Sequence, residues 1–282
     1  MSSYEDYGRA SRNYDKTRRP VGSEIIAGCM AMGGTSLSEM VVLDAGCGTG
    51  NYSVALLPRV GRIEAVDMNP AMISVASEKL SGENVSFHEA PIDALPFDDF
   101  SFDGVMVNQV LHHLPENGGD FSAHRRVIGE LARVIKPGGV LTINTCSQTQ
   151  LEHGYWYYSL IPEAIRSLRS RYAPPEMLAE FMEDAGLEYR GRIAPVDAIV
   201  QGDAYFDLRG PLDEEWRDGD SIWSLASGEE RSKAISKIEE MDESGKLEEY
   251  VAARDSRRTE IGQISILYGV KSLGDPSEAA PF

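Results

Sequence analysis

A chain of 282 residues with 42% hydrophobic and 26% charged residues has the composition of a globular protein, long enough for one large domain or a domain with insertions. Its net charge of −18 makes nucleic acid a poor partner and suits neutral or cationic small molecules better. No apolar run approaches the roughly 20 residues that cross a bilayer, and the N-terminus lacks a secretory apolar segment, so we expect a cytoplasmic protein with no membrane partner.

Short apolar strands alternate with helical patterns over the first two-thirds of the chain, which is typical of a parallel sheet wrapped by helices. Five strands are predicted there, at residues 40–44, 62–67, 85–88, 103–107 and 139–145. A helix over residues 71–80 follows the start signal Asn69-Pro70, and a second over residues 123–135 ends before Pro137.

The character of the chain changes after residue 150. An aromatic stretch leads to a helix that ends at Gly186, and two further strands are predicted at residues 193–200 and 263–270. Between them, residues 201–260 carry 17 acidic and 9 basic side chains. We expect this acidic insertion to cap a site or to mediate dimerisation, although such charges are ordinarily a solvated face. A monomer and a homodimer both remain open.

The three cysteines, Cys29, Cys47 and Cys146, lie far apart in the sequence. They form neither a disulfide framework nor a metal-ligand pair of the C-x-x-C kind. The pattern predicts reduced thiols in or near the core and no metal site.

The first predicted strand runs directly into a glycine-rich segment, Asp44-Ala45-Gly46-Cys47-Gly48-Thr49-Gly50-Asn51. Glycines that follow a strand let backbone N–H groups approach a ligand without obstruction by a Cβ atom. Asn51 stands where the dinucleotide fingerprint G-x-G-x-x-G has its third glycine, and the G-K-[ST] ending of a P-loop is absent. Asp44 would oppose a pyrophosphate, so the segment favours a cationic amino-acid nucleoside over NAD or a nucleoside triphosphate.

A second acidic residue, Asp67, ends the second predicted strand 17 residues after Gly50. A carboxylate at that position can accept hydrogen bonds from both hydroxyls of a ribose. The alternative is a helix N-cap or an ordinary surface aspartate, but its distance from the glycine segment favours the ribose role.

Five segments of the chain, taken in order, resemble class I S-adenosylmethionine (SAM)-dependent methyltransferases of the small-molecule "methyltransferase 11" type. They are VLDAGCGTGN, AVDMNPAMISVA, DALPFDDFSFDGV, NQVLHHL and ELARVIKPGGVLTINT. The resemblance is dense over residues 36–146 and looser over residues 14–20. It implies an α/β fold of the Rossmann-like kind, doubly wound, with a mostly parallel seven-stranded sheet and a helical cap insertion. The domain boundaries we predict are an N-terminal lid at 1–35, a SAM-binding core at 36–200, the cap at 201–260, a final core strand at 261–273 and a tail at 274–282.

The resemblance also implies which residues hold SAM and its product S-adenosylhomocysteine. Pro91 stands where relatives often carry an acidic residue, so Asp93 or the backbone of Ile92 must take the contact to the adenine. The implied contacts are Asp44, Gly46, Gly48 and Gly50 to the methionine part, Asp67 to the ribose, Met68, Ile92 and Asp93 to the adenine, and Asn108 and Gln109 to the ammonium. The N-terminal segment resembles a lid from which Tyr14 would approach the sulfonium and Arg18 or Arg19 the carboxylate; an ordinary amphipathic entry helix is the alternative.

Methyl transfer from a sulfonium is an in-line displacement for which positioning and exclusion of water supply much of the rate, and a general base helps when the acceptor carries a proton. His112 and His113, just past the fourth strand, and His153, after the fifth, are the candidate bases, with a structural role for the pair 112–113 left open. Cys146 and the aromatic residues Tyr155, Trp156 and Tyr157 are candidate substrate contacts; an aromatic cluster packed under the cap is the alternative.

The sequence therefore predicts SAM-dependent methylation of an oxygen or nitrogen atom on a small-molecule acceptor. A protein methyltransferase and a non-catalytic SAM-binding or regulatory protein remain alternatives. An NAD(P)-dependent oxidoreductase is disfavoured by Asn51, and an RNA methyltransferase is disfavoured by the charge.

Overall fold

A seven-stranded sheet organises the computed structural model, which describes residues 19–115 and 118–273. The strands are β1 (Val41–Ala45), β2 (Arg62–Asp67), β3 (Val85–Glu89), β4 (Phe102–Asn108), β5 (Ile135–Thr145), β6 (Leu187–Ile193) and β7 (Ser265–Lys271). They lie in the order β3-β2-β1-β4-β5-β7-β6, with β7 antiparallel to both of its neighbours and every other pair parallel. This architecture confirms the predicted fold class.

The helices of the described residues lie on both faces of the sheet and over one end of it. In chain order they are α1 (Ser23–Met30), α2 (Asn51–Leu56), α3 (Pro70–Lys79), α4 (Ser122–Val134), α5 (Gln148–His153), α6 (Pro162–Arg169), α7 (Pro175–Asp184), α8 (Glu214–Asp218), α9 (Ile222–Leu225), α10 (Gly228–Glu243), α11 (Leu247–Asp255) and α12 (Arg258–Ile261). None of them is long and apolar enough to cross a membrane.

The sheet is buried on both faces, which explains why its central strands read as continuous apolar runs. Alternate side chains of one strand enter two different core clusters: Val42 belongs to one and Leu43 to the other. Helix α4 buries Val127, Ile128 and Leu131 against the second cluster, as its helical spacing predicts.

The sixth strand was predicted wrongly. The structure places β6 at Leu187–Ile193 rather than at residues 193–200, so the two ranges share only Ile193. β6 is an edge strand that pairs with β7 alone, and its outer positions carry exposed charged residues that hide the apolar alternation. The apolar residues of the predicted range are interrupted by Pro195, which has no N–H to donate to a ladder.

The long connection between β6 and β7 contains helices α8 to α12. This connection includes residues 201–260, which the sequence predicts to form a cap. The cap and the other predicted domain boundaries stay predictions. Buried aromatic residues of this connection pack on the segment that follows α5: Tyr205 and Trp223 are among the largest fully buried side chains of the described residues.

Candidate functional site

Three acidic or amide side chains come together at one edge of the sheet. β1 pairs in parallel with β2 through Ala45 and Val66, and with β4 through Asp44 and Met106. The carboxyl ends of these three strands are therefore neighbours, which is where open α/β sheets bind ligands. Asp44 and Asp67, both predicted as cofactor contacts, lie at this edge, as does the predicted Asn108 at the end of β4.

The glycine segment turns tightly over that edge. Gly46, Gly48 and Gly50 have φ angles of 77°, 52° and 81°, a left-handed conformation that other residues adopt at a cost. The backbone N–H groups of Gly46 and Cys47 both donate to the carbonyl oxygen of Val66, at 2.8 and 2.9 Å. A Cβ atom on Gly46 would lie 2.6 Å from Val110 Cγ2, whereas a Cβ atom on Gly48 would meet nothing within 4 Å. Val110 thus packs against the turn at Gly46, whereas no described residue packs against it at Gly48.

Asp44 is a buried carboxylate with only one of its oxygens hydrogen bonded. Its side chain is 1% exposed, and Oδ2 accepts a hydrogen bond from the hydroxyl of Ser53 at 2.7 Å. Oδ1 is buried without a hydrogen-bond partner among the described residues. Burial raises the pKa of Asp44 to about 7, against the lowering effect of the Ser53 hydrogen bond. The ionised form of such a desolvated carboxylate is stabilised when a cation approaches it.

Asp67 links the glycine turn to the end of the second strand. Its two oxygens accept hydrogen bonds from the backbone N–H groups of Gly48 and Asn69, at 2.9 Å each. Burial raises the pKa of Asp67, while these hydrogen bonds and the nearby His113 lower it. Part of the hydrogen-bonding capacity of Asp67 is therefore used within the protein, and the ribose contact stays a prediction.

The end of β4 contributes two amide side chains with different surroundings. The buried Asn108 amide forms no close hydrogen bond with the described residues, but it lies near enough to the Asp44 carboxylate to lower the pKa of Asp44. The Gln109 amide donates to Asn144 Oδ1 at 3.0 Å, and Asn144 in turn donates to the hydroxyl of Tyr52 at 2.8 Å. Gln109 also has a φ angle of 54°, a strained conformation for a residue with a side chain.

Three further predicted cofactor residues, Met68, Ile92 and Asp93, lie after the ends of the second and third strands. Met68 is 52% exposed directly after Asp67, Ile92 is buried in the core, and Asp93 is exposed. Tyr14 and Arg18 lie outside the described residues.

The predicted bases divide between two places. His112 and His113 form the short 3₁₀ turn after β4, and His112 stacks on Tyr172 with ring centroids 4.6 Å apart. Cys146 follows β5 and lies beside the end of β4, with Sγ 3.8 Å from Gln109 Oε1. His153, by contrast, is exposed at the end of α5 and lines a separate cavity. The structure brings Cys146 and the histidine pair to the sheet edge and does not bring His153 there.

The aromatic residues predicted to contact substrate lie at the junction between the core and the long β6–β7 connection. Tyr155, Trp156 and Tyr157 are all buried, and Tyr157 is completely inaccessible. The Tyr157 hydroxyl lies 2.7 Å from the carboxylate of the buried Asp220, which with burial raises its pKa well above the ordinary value. The substrate contacts and the alternative of a packed aromatic cluster under a cap both stay predictions.

Sequence reasoning did not single out Ser53, Tyr52 or Asn144, although each is hydrogen bonded to a residue of this edge or to its neighbour. Ser53 lies in the first turn of α2, which follows the glycines, so its short spacing from Asp44 could have indicated the hydrogen bond between them. Tyr52 and Asn144 are 92 positions apart, and only the fold brings them together. No cluster of three or more potential metal ligands occurs in the described part of the chain.

Comparisons with known proteins identify similar sequences and folds. Residues 43–143 match the family model of a methyltransferase domain. The demethylmenaquinone methyltransferase of Clavibacter sepedonicus is 32% identical over 148 residues, which are 50% of this chain and 58% of that protein. The chain thus spans little more than half the length of this curated relative.

Solved structures share the fold at lower identity. A proposed methyltransferase from an antibiotic biosynthesis pathway of Anabaena variabilis has a TM-score of 0.67 at 19% identity, covering 87% of this chain and 96% of that one. The [4+2]-cyclase SpnF has a TM-score of 0.54 at 19% identity, covering 89% and 80% of the two chains. Together with the family match, these similarities confirm the predicted resemblance.

Proposed function

We propose, from the match of residues 43–143 to a methyltransferase-domain model, that the protein is an enzyme that transfers a methyl group from SAM to an oxygen or nitrogen atom of a small molecule. SAM supplies an electrophilic methyl group on a sulfonium, and S-adenosylhomocysteine is the product. The acceptor class rests on the net charge of −18 and on the small-molecule enzyme named among the relatives.

The observation that carries the proposal is the pair of unsatisfied buried polar groups beside an open glycine. Asp44 Oδ1 and the Asn108 amide form no close hydrogen bond among the described residues beyond the interaction of these two side chains with each other, and no described residue occupies the space over Gly48. Buried polar groups of folded proteins are nearly always paired, so an unpaired set at a ligand-binding edge fits a bound group that completes it. The cationic amino-acid end of SAM has the matching charge and donors.

The residues of this edge would bind and orient the cofactor. Gly48 permits close approach of the backbone, Asp44 and Asn108 complement the cationic end, and Asp67 is placed to accept from a ribose. Holding the methyl carbon and the acceptor atom in line removes most of the entropic barrier to a bimolecular displacement. His112 and His113 are the nearest candidates for taking a proton from the acceptor, because both follow β4 at the same edge.

Equilibrium dialysis against SAM and NADH tests the cofactor assignment directly. We expect saturable binding of SAM and of S-adenosylhomocysteine, and no binding of NADH at comparable concentration. Tight binding of NADH without binding of SAM would overturn the proposal.

Incubation with methyl-labelled SAM and pooled small metabolites then tests the reaction. We expect S-adenosylhomocysteine to accumulate above the rate without acceptors, and label to appear in a small-molecule fraction. Label in protein instead would assign a protein methyltransferase.

A SAM-binding protein without methyl transfer is the second candidate, and the fold neighbour named as a [4+2]-cyclase is the observation in its favour. A similar fold at 19% identity leaves the reaction open, because function resides in the site and not in the fold. Binding of SAM with no S-adenosylhomocysteine formed from any acceptor pool would favour this candidate.

A further inference from the structure

A separate cavity lies away from the sheet edge formed by Asp44, the glycine turn, Asp67 and Asn108, which we call the cofactor edge. A cavity of about 670 Å³ opens between α5, the 3₁₀ turn at Trp156–Leu160, α6 and the α11–α12 segment. Four arginines line it, Arg166, Arg169, Arg254 and Arg257, and we call it the arginine groove. The loops after β1, β2 and β4 contribute none of its lining residues, so the groove is distinct from the glycine turn.

The charge of the groove is opposite to that of the chain. Its lining carries four arginines and one carboxylate, Glu152, in a protein whose net charge is −18. Concave surfaces lined by one sign of charge focus the electrostatic potential and concentrate counter-ions. The positive charge of the groove therefore attracts an anion, although the net charge of the chain repels anions elsewhere on the surface.

Two of the four arginines form no ion pair with a carboxylate of the described residues. Arg169 pairs with Glu152 at 3.1 Å, and Arg257 lies 3.9 Å from Glu260 in a looser pair. Arg254 stacks over the ring of Tyr250, 3.5 Å from its centroid, and Arg166 forms no ion pair with any described residue. Arg254 donates from Nη1 to the backbone carbonyl of Tyr250 at 3.2 Å, so the N–H groups offered to a bidentate anion are its remaining ones and those of Arg166.

The walls of the groove are apolar and fixed in position. Tyr155, Trp156 and Tyr158 line it and are buried, and the rings of Tyr155 and Tyr158 stack with centroids 4.4 Å apart. Ile165 of α6 adds an aliphatic surface. A rigid apolar wall beside free guanidinium groups suits a molecule with an apolar body and an anionic end.

We propose that the arginine groove binds a small organic anion, an apolar body that carries a phosphate or a carboxylate. The ionic end contacts Arg166 and Arg254, and the body packs toward Tyr155 and Trp156. The site does not depend on methyl transfer, because its residues and its ligand differ from those of the cofactor edge.

Calorimetric titration of the ligand-free protein with phenyl phosphate, benzoate and neutral phenol tests the proposal. We expect at least one of the two anions to bind saturably, with an affinity that falls as salt is added, and phenol not to bind. Binding of phenyl phosphate alone assigns a phosphate, and binding of benzoate alone assigns a carboxylate. Absence of binding by both anions, or equal binding of phenol, would overturn the proposal.

Variants locate the binding site. Arg166→Gln and Arg254→Gln are each expected to weaken anion binding by roughly five-fold or more, and Glu152→Gln to tighten it by a factor of about two or more. Arg126→Gln, on an exposed position of α4, is the matched control and should leave the affinity unchanged. Thermal melts check that each variant is folded. Groove variants that fold and bind like the wild type would refute the assignment.

Discussion

The cofactor edge and the junction under the β6–β7 connection both bury polar groups, but they satisfy them differently. At the junction, Asp220 lies within hydrogen-bond distance of the hydroxyl groups of Tyr157 and Tyr158, and its other oxygen accepts from the backbone of Ile222. At the edge, Asp44 Oδ2 accepts a hydrogen bond from Ser53, whereas Oδ1 accepts no close hydrogen bond from the described residues, although the Asn108 side chain lies near enough to lower the pKa of Asp44. A fully satisfied hydrogen-bond network stabilises the fold, whereas buried polar groups that lack partners can be satisfied by a bound ligand.

A second network at the junction supports this distinction. Asp255 forms a bidentate pair with Arg258, at 2.8 and 2.9 Å, and also accepts from the hydroxyl of Tyr205. These partners together hold the pKa of Asp255 below its ordinary value despite burial. The indole N–H of Trp223 is an exception at the junction, since it is buried without a partner among the described residues.

Removing the charge of Asp44 is expected to have the largest effect. Asp44→Asn keeps the shape of the side chain and its acceptor toward Ser53 but loses the charge that complements a cation. We expect the affinity for SAM to fall by about 100-fold, as for loss of a charge-assisted contact. The melting temperature of the ligand-free protein should stay the same or rise, because a desolvated charge is removed. Dialysis and thermal melts measure the two effects.

Asp220→Asn is the matched variant at the junction and should show the reverse pattern. It weakens a buried network, so we expect the free energy of unfolding to fall by about 1–3 kcal/mol while the affinity for SAM stays unchanged. If Asp44→Asn destabilised the ligand-free protein as Asp220→Asn does, the distinction between the two regions would fail.

Two glycines of the same turn allow a test on a finer scale. Gly48→Ala places a methyl group in open space over the edge, so we expect the affinity for SAM to fall by roughly ten-fold, with a stability loss of about 1 kcal/mol from its positive φ. Gly46→Ala drives a Cβ atom against Val110, so we expect it to destabilise the fold by about 2–4 kcal/mol. Denaturant titrations and dialysis separate the two outcomes. An affinity for SAM that is unaffected by Gly48→Ala would place the ligand elsewhere.

The pH dependence of binding gives the smallest expected effect. Because burial raises the pKa of Asp44 to about 7, above its ordinary value, the stability it contributes to the ligand-free protein is present at low pH and is lost as the pH rises through about 7. Binding of a cation needs the ionised form, so the affinity for SAM should rise several-fold between about pH 6 and about pH 8. The same titrations on Asp44→Asn should show a flatter profile, and identical profiles would contradict the role of this carboxylate.

Much of the cofactor edge was predictable because its signals are local. Asp44, the three glycines and Asp67 lie on short strand-to-loop segments, where burial patterns and turn residues mark the strand ends directly. The edge strand β6 was misplaced because exposed charges on an edge break the apolar pattern that marks a strand.

The sequence by itself determined the class of the fold, the order of the first five strands along the chain and the segment that turns over the sheet edge, because each depends on residues close together in the chain. Only the tertiary structure decided that Tyr157 meets Asp220 across 63 positions, and that the arginines of α6 and α11 face one cavity. Burial and pairing of distant side chains depend on how helices pack, and that packing has no signature in local periodicity.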